Sequence, residues 1–555
     1  MFVLGIVSII VTFLTVVPLA FLVWGSFNQG NPATPGGLTL QNYVRVYTDP
    51  ATLKLFTNSV WYAGGSSVLA LLIGTALAWI VERTDTPLRK VFFALTLVPL
   101  LTPGVLVTIA WLYLLNPRNG FINHLAMNLF GLGEAPFDVY TMWGMIWIDG
   151  LAWVPLAFLL MGAALRSMDP SLEESAMMSG AGIFVTLRRV TLRLMLPAIA
   201  SVSLIIFVRA LESFEVPALV GVPGGTFVFT SRIYLALRQI SPDFGLAAAL
   251  SLSLLVLGVI GLYFYYRATA RTERFATVTG KAFRPRMISM GKWRYATAGI
   301  YVLYCVVTIG LPLFILVWSS LNPFYRQPSL TNLDRLNLNA YFTMLNSDVV
   351  RPVFFNSLTL AIGSATLVML LTAVVAWMTV KTTIPGRQIL DAVAFLPIAF
   401  PGIVLGVSLL WVYLFLPIPI YGTIWILIIA YITRFMPYGM RACSSSMIQI
   451  HKELEEAAYA SGASWLNTFG RIIVPLLKPG LLAGWIYVAI LSIKELSSSI
   501  LLYSSQSRVL SVHVFNLWDM GQQTQVSALA MITIAVLTVF VLIALRLGAT
   551  VGVRE

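Results

Sequence analysis

The chain contains one pattern twice, in the same direction, and that repetition restricts its fold more than any other feature. Leu172–Pro197 reads LEESAMMSGAGIFVTLRRVTLRLMLP, and Leu454–Pro479 reads LEEAAYASGASWLNTFGRIIVPLLKP. A constant offset of 282 aligns them without a gap, and from Glu173 to Pro197 10 of 25 positions are identical. Glu173/Glu455, Glu174/Glu456, Gly180/Gly462 and Pro197/Pro479 are among these. Both copies are polar islands between long apolar runs, and each reads as a short helix, a glycine break and a second helix. In the first copy Asp169-Pro170 is a helix-start signal, and Ser171 with Glu174 fits a capping box. Gly180 suits a left-handed C-terminal position, where a side chain is costly. The second copy has His451 and Lys452 in place of Asp-Pro, with the same break at Gly462.

Of the 555 residues, 58% are apolar and only 10% charged, against about 25% charged in a typical soluble domain. Runs of about 20 apolar residues are long enough to span a bilayer. They fall near 2–25, 58–81, 92–114, 142–165, 197–220 and 245–266, then near 296–319, 357–380, 391–416, 423–442, 480–502 and 526–547. The first run has no basic start and no small-residue cleavage site after it, so it reads as a span and not as a signal peptide. The repeat extends across these runs. FLVWGS (Phe21–Ser26) matches ILVWSS (Ile315–Ser320), and LTLQNY (Leu38–Tyr43) matches LNLNAY (Leu336–Tyr341). Asn58-Ser59 matches Asn356-Ser357, Ala78-Trp79 matches Ala376-Trp377, and Pro103-Gly104 matches Pro401-Gly402. Each half has an even number of runs, so both halves enter the membrane from the same side and form a parallel repeat. The expected fold is an all-α polytopic membrane protein of about twelve transmembrane helices, two six-helix repeats about a pseudo-two-fold axis, with the pathway at the seam. The expected domains are 1–266 and 296–555, joined by a basic linker over 267–295. The halves differ by an insertion, Asn116–Thr141, where the second has a short turn at Leu416–Tyr421.

Lys and Arg in short loops set orientation. Arg267–Arg294 carries eight of them (Arg267, Arg271, Arg274, Lys281, Arg284, Arg286, Lys292, Arg294) and one acid, Glu273, which places it in the cytoplasm. Counting crossings from there puts both motif copies, Glu82–Lys90, Lys381–Arg387 and both termini on the cytoplasmic side. The loops 26–57, 116–141, 221–244, 320–356 and 503–525 face outward. The net charge of +13 is then explained by orientation, and no nucleic-acid partner is expected.

No catalytic constellation is present. There is no P-loop, so the chain carries no ATPase of its own, and no HExxH, nucleophile elbow or paired-cysteine motif. Cys305 and Cys443 lie in or beside apolar segments, and His124, His451 and His513 are isolated, so no metal site is expected. Ionisable residues inside apolar runs are costly and therefore functional candidates. The first half has Arg209, Glu212 and Glu215; the matching region of the second has Lys494 and Glu495. Arg209 and Glu212 are spaced to pair on one helix face, whereas adjacent Lys494 and Glu495 point apart. These groups read either as structural ion pairs near the seam or, for Glu212, Glu215 and Glu495, as pathway residues favouring a cationic cargo. Pro217 and Gly221–Gly225 are expected to unwind the chain toward the outer face. Arg434 is expected toward the cytoplasmic end of its span, and Asp149 lies within a span with no visible partner. Pro103-Gly104 and Pro401-Gly402 are expected to kink or interrupt their helices.

The doubled motif resembles the EAA motif of ABC-importer permeases, a Glu-Ala-Ala triplet followed by Gly four residues later and then an apolar-Pro segment. The triplets here are Glu174-Ser175-Ala176 and Glu456-Ala457-Ala458, with Gly180 and Gly462 at that spacing. The first copy departs in Ser175 and in Arg193, where the second copy has Pro475. The resemblance implies cytoplasmic coupling helices in which Glu173, Glu174, Glu455 and Glu456 meet a separate ATPase. The other reading of the acids is that they cap their own helices. Arg188, Arg189, Arg193 and Arg471 read as snorkelling to headgroups or pairing locally. Two fused permease domains of this length, with SFEVPALVG (Ser213–Gly221) and KELSSSILL (Lys494–Leu502), are similar to ferric-iron permeases and, in the same group, thiamine permeases. The resemblance implies an inner-membrane permease served by two copies of an ATPase subunit, which bind the ATP, and by a periplasmic binding protein. No cofactor is expected in this chain, and lipid surrounds it. The cargo options are ferric iron first, then thiamine, phosphonate or polyamine. The competing class is a twelve-span secondary transporter driven by an ion gradient, which also has two parallel halves.

Overall fold

The structure is a computed structural model that describes residues 2–169, 171–272, 287–451 and 453–546. Pro170, Lys452 and most of the expected linker, including Glu273, Arg274, Lys281, Arg284 and Arg286, lie outside the described residues. The described residues form helices and no named strand. In the first half these are α1 (Phe2–Ser26), α2 (Pro50–Arg83), α3 (Arg89–Leu101), α4 (Gly104–Leu115), α5 (Met142–Ser167), α6 (Ser171–Met178), α7 (Leu196–Leu211) and α8 (Phe244–Thr272). The second half repeats them as α9 (Trp293–Ser320), α10 (Val350–Lys381), α11 (Arg387–Ala399), α12 (Gly402–Phe415), α13 (Ile424–Ile448), α14 (Glu453–Ala460), α15 (Val474–Lys494) and α16 (Gln523–Arg546).

Among the described residues, eight helices are long and apolar enough to cross a membrane, and three bent pairs raise the total to eleven if each is one span. The twelfth expected span is α13, which holds Arg434 and Arg441 and is less apolar for that reason. It packs against α10 as α5 packs against α2. The proline-glycine breaks are sharp. The axis turns by 98° between α3 and α4, and by 110° between α11 and α12. Proline removes a donor and clashes with the preceding turn. Here the break is a corner rather than a gentle kink. The fifth expected span of the first half also ends early, at Leu211, and resumes as a π turn at Pro217–Gly221 before the chain unwinds.

The repeated sequence becomes repeated bonding. Ser26 Oγ meets the Tyr43 hydroxyl at 2.7 Å, and Ser320 Oγ meets the Tyr341 hydroxyl at 2.7 Å. Ser59 Oγ accepts from the Phe229 N–H at 3.1 Å, and Ser357 Oγ from the Leu510 N–H at 2.7 Å. Thr141 and Thr423, one repeat apart, cap α5 and α13 by accepting from Gly144 and Trp425. The first helix of each half crosses to the other half. Trp24 of α1 packs edge-on to Trp411 of α12 at 5.5 Å, and Tyr301 of α9 stacks on Phe92 of α3 at 4.7 Å. One buried cluster therefore includes residues from both halves.

The α2–α5 and α10–α13 contacts are the most extensive within their halves. A Cβ at Gly74 would lie 2.5 Å from the Ala157 Cβ. At the matching place of the second half the small residue has moved to the other helix, and a Cβ at Gly439 would lie 2.7 Å from Thr372 Oγ1. Gly74→Thr is accordingly expected to destabilise the chain by roughly 1–3 kcal/mol, and Ala157→Gly added to it should recover part of that loss. Thermal unfolding in detergent measures both.

Candidate functional site: the repeated motif and the charged seam

Both motif copies lie at one end of the bundle, with 82–90, 381–387 and the described end of the linker. Thr84 bridges to Ile288, Asp85 accepts from the Met290 N–H at 2.9 Å, and Thr86 meets Thr297 at 2.7 Å. The loops that carry Arg45–Asp243, Arg238–Asp519 and Tyr325–Asn119 gather at the other end. This sorting matches the one expected from charge.

Each motif is a two-turn helix closed by a left-handed glycine. Gly180 has φ +87° and Gly462 φ +81°. The Gly180 N–H reaches Met177 O and the Ala181 N–H reaches Ala176 O; Gly462 and Ala463 repeat this on Tyr459 and Ala458. This double bond is a Schellman ending, which satisfies carbonyls that the helix end would leave open. The expected start signal at Asp169 holds, but the capping box after it does not. Asp169 accepts from the Ser171 N–H at 2.9 Å, and Ser171 is already helical, so Asp169 is the cap and no Ser171–Glu174 box forms. The second helix of each copy contains a π turn, Leu187–Thr191 and Phe469–Ile473.

The two acids of each motif point different ways. Glu173 is buried. Arg83 Nε stands 3.1 Å from its Oε2, and Thr191 Oγ1 donates to its Oε1 at 2.6 Å. Glu455 is buried beside Lys381, with Nζ 3.0 Å from Oε1. Neither ion pair is aligned as a hydrogen bond, so both contacts are mainly coulombic. Glu174 is half-buried and Glu456 exposed, with no ion pair among the described residues. Ser175, Gly180, Ala457 and Gly462 are exposed, Ala176 is half-buried and Ala458 buried. Arg188, Arg189, Arg193 and Arg471 are exposed. The structure adds a feature that sequence reading missed. Met178 and Phe184 are 90% and 83% exposed beside the first glycine break, and they sit at the motif end among polar residues.

At the seam, Arg209 Nη1 pairs with Glu212 Oε2 at 3.1 Å, as spaced, and its guanidinium also donates to the Tyr438 hydroxyl of the other half. Lys494 and Glu495 do point apart. Lys494 donates across the seam to the Leu100 carbonyl, which the end of α3 leaves without a donor inside that helix. Glu495 pairs with Arg434 at 3.2 Å and accepts from the Ser498 N–H at 2.9 Å. Arg434 therefore sits at mid-span, against Gly402, and not toward the motif end as expected; a Cβ at Gly402 would collide with its guanidinium. Asp149 has a partner after all, the Ser213 hydroxyl at 3.1 Å. Glu215 is half-buried with no ion pair among the described residues and lies beside Gly104, whose Cβ would come within 3.7 Å of its carboxyl carbon.

These features define a two-half helical membrane protein with a motif face at one end and charged groups along its seam. The chain belongs to the family of binding-protein-dependent transport system inner membrane components, whose model matches residues 70–274 and 369–550, once in each half. It is 26% identical over 542 residues to the ferric transport system permease protein FbpB of Actinobacillus pleuropneumoniae, covering 97% of this chain and 76% of that protein. It is also 26% identical over 514 residues to the putative ferric transport system permease protein FbpB 1 of Haemophilus influenzae, covering 91% and 78%. A crystal structure of a bacterial ABC transporter involved in alginate import aligns with 47% of this chain and 96% of that chain, at 17% identity and a TM-score of 0.39.

Replacing Glu495 by Ala strands the Arg434 guanidinium and is expected to cost roughly 3–5 kcal/mol. Replacing both by Met should cost markedly less, because no charge is left unpaired. Unfolding midpoints of the two variants in detergent check the ordering.

Proposed function

We propose that this chain is the permease of an ATP-driven importer for ferric iron delivered by a periplasmic binding protein, working by alternating access at the seam. The observation that carries the reading is the pair of short helices at one end, each offering an outward acid at matching places, Glu174 and Glu456, ahead of a glycine stop. Two copies of an ATPase subunit would each receive one such helix. Glu174 and Glu456 would meet basic residues there, helped by their place at helix N-termini, while Met178 and Phe184 would fill an apolar groove. Closure of the ATPase pair on ATP would bring the two motif helices together and open the opposite end of the seam to the binding protein. The motif end would then be cytoplasmic, as the basic loops also indicate, and the termini would lie on that side.

Iron as the cargo is supported by the ferric transport permeases that align along almost the whole chain. Glu215, a carboxylate with no ion pair at a helix corner, would suit a cationic cargo, with Glu212 and Glu495 nearby in ion pairs. Cells that depend on this chain should take up radiolabelled ferric iron, and uptake should stop when the ATPase is inactivated. Uptake of thiamine, phosphonate or polyamine instead would move the cargo while leaving the class. Uptake that follows an ion gradient and ignores ATP would replace the class.

Glu174→Lys with Glu456→Lys is expected to weaken docking by roughly 2–5 kcal/mol per site. Co-purified ATPase and its stimulation by loaded binding protein should both fall. Retention of both would leave the two acids as helix caps.

A further inference from the structure

The two adjacent acids of each motif are alike in sequence but differ in their surroundings. The outward acid of each pair is accounted for by the proposed partner. The inward acid is not, because a buried carboxylate in an ion pair cannot reach a partner's surface. We propose that Glu173 and Glu455 are positioning residues, struts that fasten the motif helices to the ends of α2 and α10 and carry the ATPase stroke into the membrane helices. This deepens the reading above and rests on it.

The geometry is the same in both halves. Arg83 ends α2 and Lys381 ends α10, at matching places in the repeat. Each cation ties three elements together. Arg83 holds Glu173 and donates to the Leu165 carbonyl at the end of α5. Lys381 holds Glu455 and donates to the Ile450 carbonyl just after α13. A motif helix pushed by a partner therefore cannot slide past α2 or α10 without parting a buried ion pair, which is costly when only one partner is left.

The rods that receive this push also touch seam segments farther along their length. In α2, Tyr62 lies about 31 Å along the axis from Arg83 at 1.5 Å per residue, and its hydroxyl donates to Ser213 at 3.2 Å, next to Glu212. In α10, Ser364 lies about 25 Å from Lys381 on the same rise and meets Ser492 at 2.9 Å, two residues before Lys494. Each strut thus shares its helix with a contact to a segment that carries seam charges.

The struts are not equal. Glu173 has a second partner in Thr191, at 2.6 Å, where the second half has buried Ile473. The Arg83 carbonyl also accepts from the Ile288 N–H at 2.8 Å, which fixes the first strut to the described end of the linker. The first strut should therefore carry more of the coupling.

The test uses the full complex of this chain, its ATPase and its binding protein in lipid nanodiscs, and reads the ratio of ATPase rates with and without loaded binding protein. Arg83→Met and Glu173→Gln should each lower that ratio by about fivefold or more, within the usual range of coupling between sites. The double variant Arg83→Met/Glu173→Gln leaves no buried charge unpaired, so it should restore the yield of assembled complex while the ratio stays low. Arg83→Lys, which copies the second strut, should keep the ratio. Glu455→Gln should lower it less than Glu173→Gln. If the double variant regains the full ratio, the pair only satisfies buried charge and the strut proposal is wrong, with the importer reading intact. A larger loss from Glu455→Gln would overturn the ranking of the struts. If the unaltered chain assembles with no ATPase, the importer reading fails and the strut falls with it.

Discussion

Inside hydrocarbon every backbone N–H and C=O must find its partner within the chain, because no water is there to supply one. This protein breaks a helix at a proline-glycine pair in the middle of each half, and the arrangement of the seam follows from that choice. The corner after α3 opens the Leu100 carbonyl, and Lys494 of the opposite half fills it. The corner before α12 makes room at Gly402, and Arg434 occupies the space while paired with Glu495. Arg434 brings the Glu495 carboxylate with it, since an unpaired charge at that depth would be far more costly. Lys494, Arg434, Glu495 and Glu215 are thus tied to the breaks.

Duplication explains the frame and divergence explains the asymmetry. Hydrogen bonds that define the frame, such as Ser59 to Phe229 and Ser357 to Leu510, are kept in both halves. Packing is kept by exchange: Gly74 against Ala157 becomes Thr372 against Gly439, so the close approach survives although both residues have changed. The seam has not been kept in this way. Glu212 and Lys494 occupy matching places with opposite charge, and only the lysine reaches across to the other half. The two sides of the seam therefore carry different charges.

The motif face joins a rigid and a presented part within two adjacent residues. A helix turns by about 100° per residue, so neighbouring acids cannot face the same way. Glu173 and Glu455 turn toward the bundle and find cations, while Glu174 and Glu456 turn outward. The glycine stop then reverses the chain at once and leaves Met178 and Phe184 projecting from the first copy.

The sequence by itself determined the doubling, the parallel sense of the halves, the helix corners at Pro103 and Pro401, the glycine stops and the Arg209–Glu212 pair. All of these follow from local chemistry or from the period of apolar residues, which is written along the chain. It did not reveal that Arg83 pairs with Glu173, that Lys494 caps Leu100, that Asp149 meets Ser213, or that Arg434 sits at mid-span. It also offered a Ser171–Glu174 capping box that does not form behind the Asp169 start it did mark, and hid the exposure of Met178 and Phe184. Each of these, apart from the cap, joins residues far apart in the chain or depends on what covers a surface. Pairing and exposure of that kind are fixed only when separate helices pack, so the tertiary structure decided them.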